Sequence, residues 1–348
     1  MGIRNLHSFL RSTNQDLYKI NSLQNYQYKT FAVDTSIYMC RYKSSMGNRW
    51  LQGFWLLISI MKKYNIDLIF VFDSKPPPEK NLERHLRSVQ KEKSKQRVHN
   101  ITNEFYEYKK KKIPFDTLPV FITEIEKSFP ILHRYVKKNE NNLNSEMDVF
   151  YLIQKLENSI LRVHSSDFDL LKDFLRLFRI PFINAHSEAE GTCAFLNICK
   201  IADYVLTEDT DVLAYGCTSM LHSLKLKEEC ITEIKLNDIL QNLDLEKKQF
   251  VDFCIMCGTD YNDNIPKLGP KTCYNLLQKN HNIEAIEKLE KYDITILNYN
   301  RVRTLFCFDD YKMEPICKDH SKPTRIQIQQ FLFQNNIIYT KDDLDLFL

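Results

Sequence analysis

Short hydrophobic runs, each closed by an acidic residue, recur along this chain. YKTFAVD ends at Asp34 and DLIFVFD at Asp73, and residues 29–34 and 67–73 have the length and composition of buried strands. Between them, Leu51 to Lys63 carries helical periodicity. The three segments form a strand–helix–strand unit, the seed of a parallel sheet. The pattern repeats at 180–184 and 202–207, with a helix over Glu188 to Lys200 between the two strands. Carboxylates that follow such strands fall at the carboxyl edge of the sheet, where open α/β folds bind ligands.

Elsewhere the pattern changes. Residues 79–112 are polar and basic and predict a long helix pair or an arch. Residues 113–150 carry Pro114, Pro119, Pro130 and the stretch NENNLNSE, which predicts an insertion or loop. Helical periodicity returns over 155–180. From residue 247 a helix runs to about Cys257, a turn follows, and Pro270 opens the next helix; 283–348 is polar and helical in tendency. No internal repeat stands out.

Composition narrows the class. Hydrophobic content of 43% and charge of 27% suit a globular protein of 348 residues. The longest apolar stretch, Gly53 to Met61, is too short to span a bilayer. The start MGIRNL has no apolar signal segment, and Leu6 stands where a myristoylation signal requires Ser or Thr. An intracellular protein is expected. Ten cysteines lie mostly in apolar segments, among them Cys193, Cys199, Cys254, Cys257 and Cys273, and read as free buried thiols. Cys254 and Cys257 form a CxxC with no second pair to complete a zinc site. With seven glycines there is no Gly-rich phosphate loop, and the Walker and Rossmann fingerprints are absent.

A net charge of +3 is too small to argue for nucleic acid, and its local distribution, a basic block beside acidic motifs, reads either as a solvated helix face or as a binding surface. From Lys80 to Lys112 there are eleven Lys and Arg against four Glu. Lys80, Arg84 and Arg87 are spaced i, i+4, i+7, which places them on one helix face.

Seven acidic residues in five motifs carry the candidate chemistry: Asp34, Asp73, Glu188, Glu190, Asp209, Asp211 and Asp260. Each has a local explanation. Ser187-x-x-Glu190 is a capping box, Asp209 can cap a helix, and Asp260 can be a turn residue after the helix-ending Gly258. Asp34 and Asp73 resist this, because a buried strand ending in a carboxylate without a partner needs a cation or a wet cleft. Together the seven predict hard oxygen ligands for a divalent cation and phosphate chemistry.

In order along nearly the whole chain, MGIRNL, FAVDTSIY, VFDSKPPPEK, FLRLFRIPFINAHSEAEGTCA, YVLTEDTDVLAYG and FCIMCGTDYNDNIPKLGPK resemble the flap endonuclease/XPG (Rad2-like) family of structure-specific 5′ nucleases. The resemblance implies an α/β fold: a PIN-like parallel sheet core flanked by helices, with a helical arch and a helix-two-turn-helix duplex-binding region. It divides the chain into an N-terminal nuclease region at 1–78, arch and insertion at 79–150, an internal nuclease region at 151–246, and the duplex-binding and C-terminal helical region at 247–348. It implies two Mg²⁺ per chain, with Mn²⁺ a possible substitute. Asp34, Asp73, Glu188 and Glu190 would gather at one ion, and Asp209, Asp211 and Asp260 at the other. It assigns catalysis to Lys80, Arg87 and Asp209. Contacts to DNA fall to Gly2, Lys80, Arg84, Arg87, Lys267, Gly269 and Lys271, the last three in a hairpin that holds the duplex backbone through amides and a monovalent cation.

The chain departs from the family in places. Lys267 stands where the hairpin usually has its first Gly. The Asp34–Asp73 interval is shorter than in cellular members and the Asp73–Glu188 interval longer, which implies a reduced wedge and an enlarged arch. No sliding-clamp motif or basic tail is visible, and the compact Lys- and Asn-rich character is more like a viral member. The expectation is a monomeric, Mg²⁺-dependent 5′ endonuclease on flapped or branched DNA. It would serve repair, replication or recombination, in the nucleus or, for a virus, the host nucleus or cytoplasm. A 5′→3′ exonuclease on the same fold, a non-catalytic junction binder and a small-molecule phosphatase stay open as alternatives.

Overall fold

A computed structural model describes residues 2–110, 146–308, 311–317 and 323–347. Seven strands form one mixed sheet: β1 (Lys19–Ser22), β2 (Thr30–Asp34), β3 (Asp67–Phe72), β4 (Phe182–Asn184), β5 (Tyr204–Leu206), β6 (Ser219–Lys225) and β7 (Cys230–Lys235). Their order is β1-β7-β6-β5-β2-β3-β4. The stretch from β6 to β4 is parallel, as the strand–helix–strand pattern predicts. β7 and β1 extend it as antiparallel strands that the hydrophobic pattern does not announce, because SMLHSLK and CITEIK alternate rather than run apolar.

The period of two along the central strands separates two cores. Phe31, Val33, Leu68, Phe70 and Phe72 point to one face, while Ala32, Ile69 and Val71 point to the other. On the first face pack α2 (Thr35–Met46), α3 (Trp50–Lys63) and α6 (Ser165–Leu177), with Tyr38, Trp55 and Phe174 fully buried. The second face takes α1 (Leu6–Thr13), α7 (Ala189–Ile198), α8 (Asp211–Tyr215) and the helices after β7. These are α9 (Leu236–Leu243), α10 (Lys247–Cys257), α11 (Pro270–Asn280), α12 (Ile283–Glu287) and α13 (Tyr299–Leu305). Two C-terminal helices, α14 (Arg325–Gln334) and α15 (Lys341–Asp345), return to the first face through Ile328, Leu332 and Leu344.

The connection from α2 to α3 is a single turn, Gly47–Arg49. The two helices lie so close that a Cβ on Gly53 would collide with the Tyr42 ring. The basic segment forms one helix, α4 (Asn81–Lys110), rather than a pair, since no Gly or Pro interrupts those 30 residues. It packs on α5 (Glu146–Ser159), and its Val98 is buried. The expected insertion falls mainly on 111–145, outside the described residues. Among the described residues no helix is long and apolar enough to cross a membrane.

Candidate active site

The parallel register brings the ends of β2, β3 and β5 to one edge of the sheet, and with them Asp34, Asp73 and Asp209. Asp34 begins α2 and is 3% exposed. Its Oδ1 accepts from the Ile37 amide (3.5 Å), and its Oδ2 accepts from Thr207 Oγ1 (3.1 Å). Burial, reinforced by the charges of Asp73 and Asp209, pushes its carboxyl up to about 8. Asp73 is exposed, contrary to the expectation of a buried strand end. It lies just past β3, where its Oδ1 accepts from the Ala189 amide (2.7 Å) and its Oδ2 from Ser36. Both residues therefore have partners that the sequence does not reveal.

The capping box expected at Ser187 and Glu190 does not form. The cap position of α7 is Glu188, and the Ser187 hydroxyl turns to the Lys75 carbonyl (3.2 Å). Glu188 and Glu190 are thereby free to face the same group, the Lys80 ammonium. Asp209 does act locally, accepting from the Asp211 amide (3.0 Å). Asp260, after the Gly258 helix end, accepts both contacts of Arg87 Nη2 (2.8 and 2.9 Å) and pairs with Lys80 (3.1 Å).

Lys80 is the centre of the arrangement. It sits in a 3₁₀ turn, Pro78–Lys80, just before α4, and is only 9% exposed. Burial alone would depress its pKa, but Glu190, Glu188 and Asp260 outweigh that and hold it above the ordinary lysine value. Arg84, exposed on α4, joins none of these pairs among the described residues, so the three basic side chains do not act as one face.

Of the seven carboxylates, Glu188, Glu190 and Asp260 pair with Lys80 or Arg87, and all seven but Asp73 are buried. Such an excess of negative charge cannot be desolvated intact; it needs protons or further cations. Burial raises the carboxyls of Glu190 and Asp211 well above the usual range and that of Asp209 less far. Asp211 is fully buried, and neither of its oxygens has a hydrogen-bond partner among the described residues. An orphaned carboxylate in a ring of hard oxygen donors fits a divalent cation such as Mg²⁺. Among the described residues no three such groups converge tightly enough to hold a metal ion, and the Lys80 ammonium takes the space between Glu188, Glu190 and Asp260.

The N-terminus closes the site. The Ile3 amide donates to Thr210 Oγ1 (2.9 Å), and a Cβ on Gly2, whose φ is 77°, would collide with the Asp209 carboxylate. Arg4 reaches the loop after α10, pairing with Asp263 (2.6 Å) and Asn264 (3.0 Å). That loop carries Lys267, exposed and left-handed at φ 67°, and Gly269 at the start of α11, followed by exposed Lys271. Lys267 thus adopts the backbone conformation that favours glycine. Sequence reasoning also missed Tyr261, whose hydroxyl donates to Glu188 Oε2 (2.7 Å) and contacts the Tyr215 hydroxyl (2.8 Å). Its place directly after Asp260 was the available signal.

The XPG N-terminal domain matches residues 1–97 and the XPG I-region residues 179–260. The probable RAD2-like endonuclease 369L of Invertebrate iridescent virus 6 is 32% identical over 336 residues, covering 88% of this chain and 79% of its own length. The chain is a nuclease of the XPG/Rad2-like family. Another member, the putative RAD2-like endonuclease 095R of Frog virus 3, is 29% identical and covers 96% of this chain and 91% of its own. Flap endonuclease 1 of Theileria annulata is 30% identical over 77% of this chain but 45% of its own length. The fold of this XPG/Rad2-like chain is also that of the catalytic core of Rad2 in complex with DNA substrate (TM-score 0.63, 16% identity, 99% of both chains). Flap endonuclease-1 from Methanococcus jannaschii shares it as well (TM-score 0.59, 19% identity, 95% of both).

Proposed function

We propose that this nuclease is a Mg²⁺-dependent, structure-specific 5′ endonuclease that hydrolyses a phosphodiester near the junction of flapped or branched DNA. The single observation that carries the reading is the cluster of Glu188, Glu190 and Asp260 on Lys80 and Arg87, with the fully buried Asp211 beside it left without a hydrogen-bond partner among the described residues. Asp34, Asp73, Glu188 and Glu190 would hold one ion, and Asp209, Asp211 and Asp260 the other. When bound, the ions supply Lewis acidity that activates water and stabilises the leaving 3′ oxygen.

The chain's own residues do the rest. Asp260 holds both Arg87 and Lys80, and these cations would have to release it for it to serve as an ion ligand. Released, they would supply positive charge to the scissile phosphate, whose negative charge grows in the transition state. The Tyr261 hydroxyl keeps Glu188 oriented. Gly2 leaves room at Asp209 for the N-terminus to lie against the site. Lys267, Lys271 and the chain at the start of α11 would hold the duplex backbone. Such contacts read shape and not sequence.

The test is cleavage of a 5′-labelled flap duplex with Mg²⁺, against EDTA and an Asp209→Asn variant that still binds DNA. Release of the whole flap supports the endonuclease. Release of mononucleotides would indicate an exonuclease. Tight binding without cutting would indicate a junction binder.

A further inference from the structure

Glu79 and Arg301 lie 222 positions apart, yet Arg301 Nε donates to Glu79 Oε1 at 2.7 Å. Glu79 immediately precedes Lys80 in the turn at the foot of α4. Its other carboxylate oxygen is buried without a partner among the described residues, so Arg301 is its described anchor. Arg301 projects from α13, which is itself firmly seated. Val302 and Phe306 are in the core, and Arg303 pairs bidentately with Asp252 of α10 (2.7 and 2.6 Å) and with Glu284 of α12 (2.6 and 3.0 Å). One body made of α10, α12 and α13, with Asp260 a few residues beyond α10, therefore grips the foot of α4 at three places. These are Glu79–Arg301, Lys80–Asp260 and Arg87–Asp260.

Two of those three grips run through Asp260, and on the proposed function both open when Asp260 turns to a metal ion and the cations to phosphate. The third has no part in the chemistry. We propose that Arg301 is a positioning residue: its ion pair with Glu79 keeps the foot of α4 docked, and Lys80 and Arg87 with it, while Asp260 is engaged elsewhere. The inference rests on the nuclease reading for its timing but not for the contact itself.

The test uses the full chain and a 5′-flap duplex under single-turnover conditions. The pair is half exposed on the Arg301 side, so Arg301→Ala should slow cleavage about two- to fivefold and leave DNA affinity little changed. Arg301→Lys should recover most of the rate. Glu79→Arg combined with Arg301→Glu should cut faster than either single variant. The deficit of Arg301→Ala should shrink as NaCl screens the wild-type pair. A readout independent of cleavage is hydrogen–deuterium exchange of residues 78–90, which should rise in Arg301→Ala in EDTA and further with Mg²⁺ alone, while 299–308 stays protected. Unchanged exchange at 78–90 in both conditions, or an Arg301→Lys protein as slow as Arg301→Ala, overturns the proposal. A wild-type chain that cuts no flap defeats the proposed flap endonuclease, and the exchange in EDTA still decides the clasp.

Discussion

Removing divalent cations should give this protein an inverted dependence of stability on pH. The group to follow is Asp34, held up to about 8 by burial and by Asp73 and Asp209, with Thr207 and the Ile37 amide opposing. A carboxyl raised in the folded state binds a proton that the unfolded chain has lost. Its stabilisation is complete below the unfolded pKa and disappears as pH rises through the folded one. Glu190, Asp209 and Asp211 have the same sign. His7 and His222 act oppositely: burial lowers both to about 4, so they favour the folded state increasingly as pH rises to their unfolded value near 6.5. The two effects compete below pH 6.5 and separate above it.

Between about pH 6.5 and 8, Asp34 alone should cost about 1.5 kcal/mol, which for a chain this long is a fall in Tm of about 2 °C. The assay is thermal and urea unfolding across that range in EDTA, repeated with Mg²⁺ and with Asp34→Asn. Mg²⁺ should flatten the slope, because ions replace the protons, and Asp34→Asn should reduce it. A metal-free protein whose stability is constant or rises from pH 6.5 to 8 would refute the account of a proton-neutralised cluster.

Other outcomes follow from single side chains. Asp211→Asn should reduce cleavage on the order of a hundredfold or more, as loss of a transition-state charge stabiliser does, and should raise the stability of the EDTA-treated protein at pH 8. Lys267→Gly relieves a left-handed lysine and should stabilise by about 0.5 kcal/mol in urea melts, while weakening DNA binding at low salt. Arg303→Ala strips the partner from the 6%-exposed Asp252 and should destabilise by about 2 kcal/mol in urea melts.

The strand framework beneath the candidate site was largely legible in the residues of this protein. Hydrophobic runs ending in Asp34 and Asp73, and the strand before Asp209, are local patterns, and a parallel sheet must gather the ends of such strands at one edge. The helix break at Gly258 and the restart at Pro270 are likewise written in single residues. The antiparallel β6–β7 extension was not, because half-buried alternation is weaker than a buried run. Nor could local sequence show that Ser187 and Glu190 form no capping box and Glu190 meets Lys80 instead, that Asp73 is exposed while Asp34 is buried, or that Arg84 stands apart from Lys80 and Arg87. Those outcomes depend on which distant group arrives opposite each side chain. The same holds for the two pairs with no sequence signature, Tyr261 with Glu188 and Arg301 with Glu79. Residue type and spacing determine which ligands and cations are available. Long-range packing alone decides which carboxylate meets which cation, because electrostatic partners are chosen by distance and burial and not by separation along the chain.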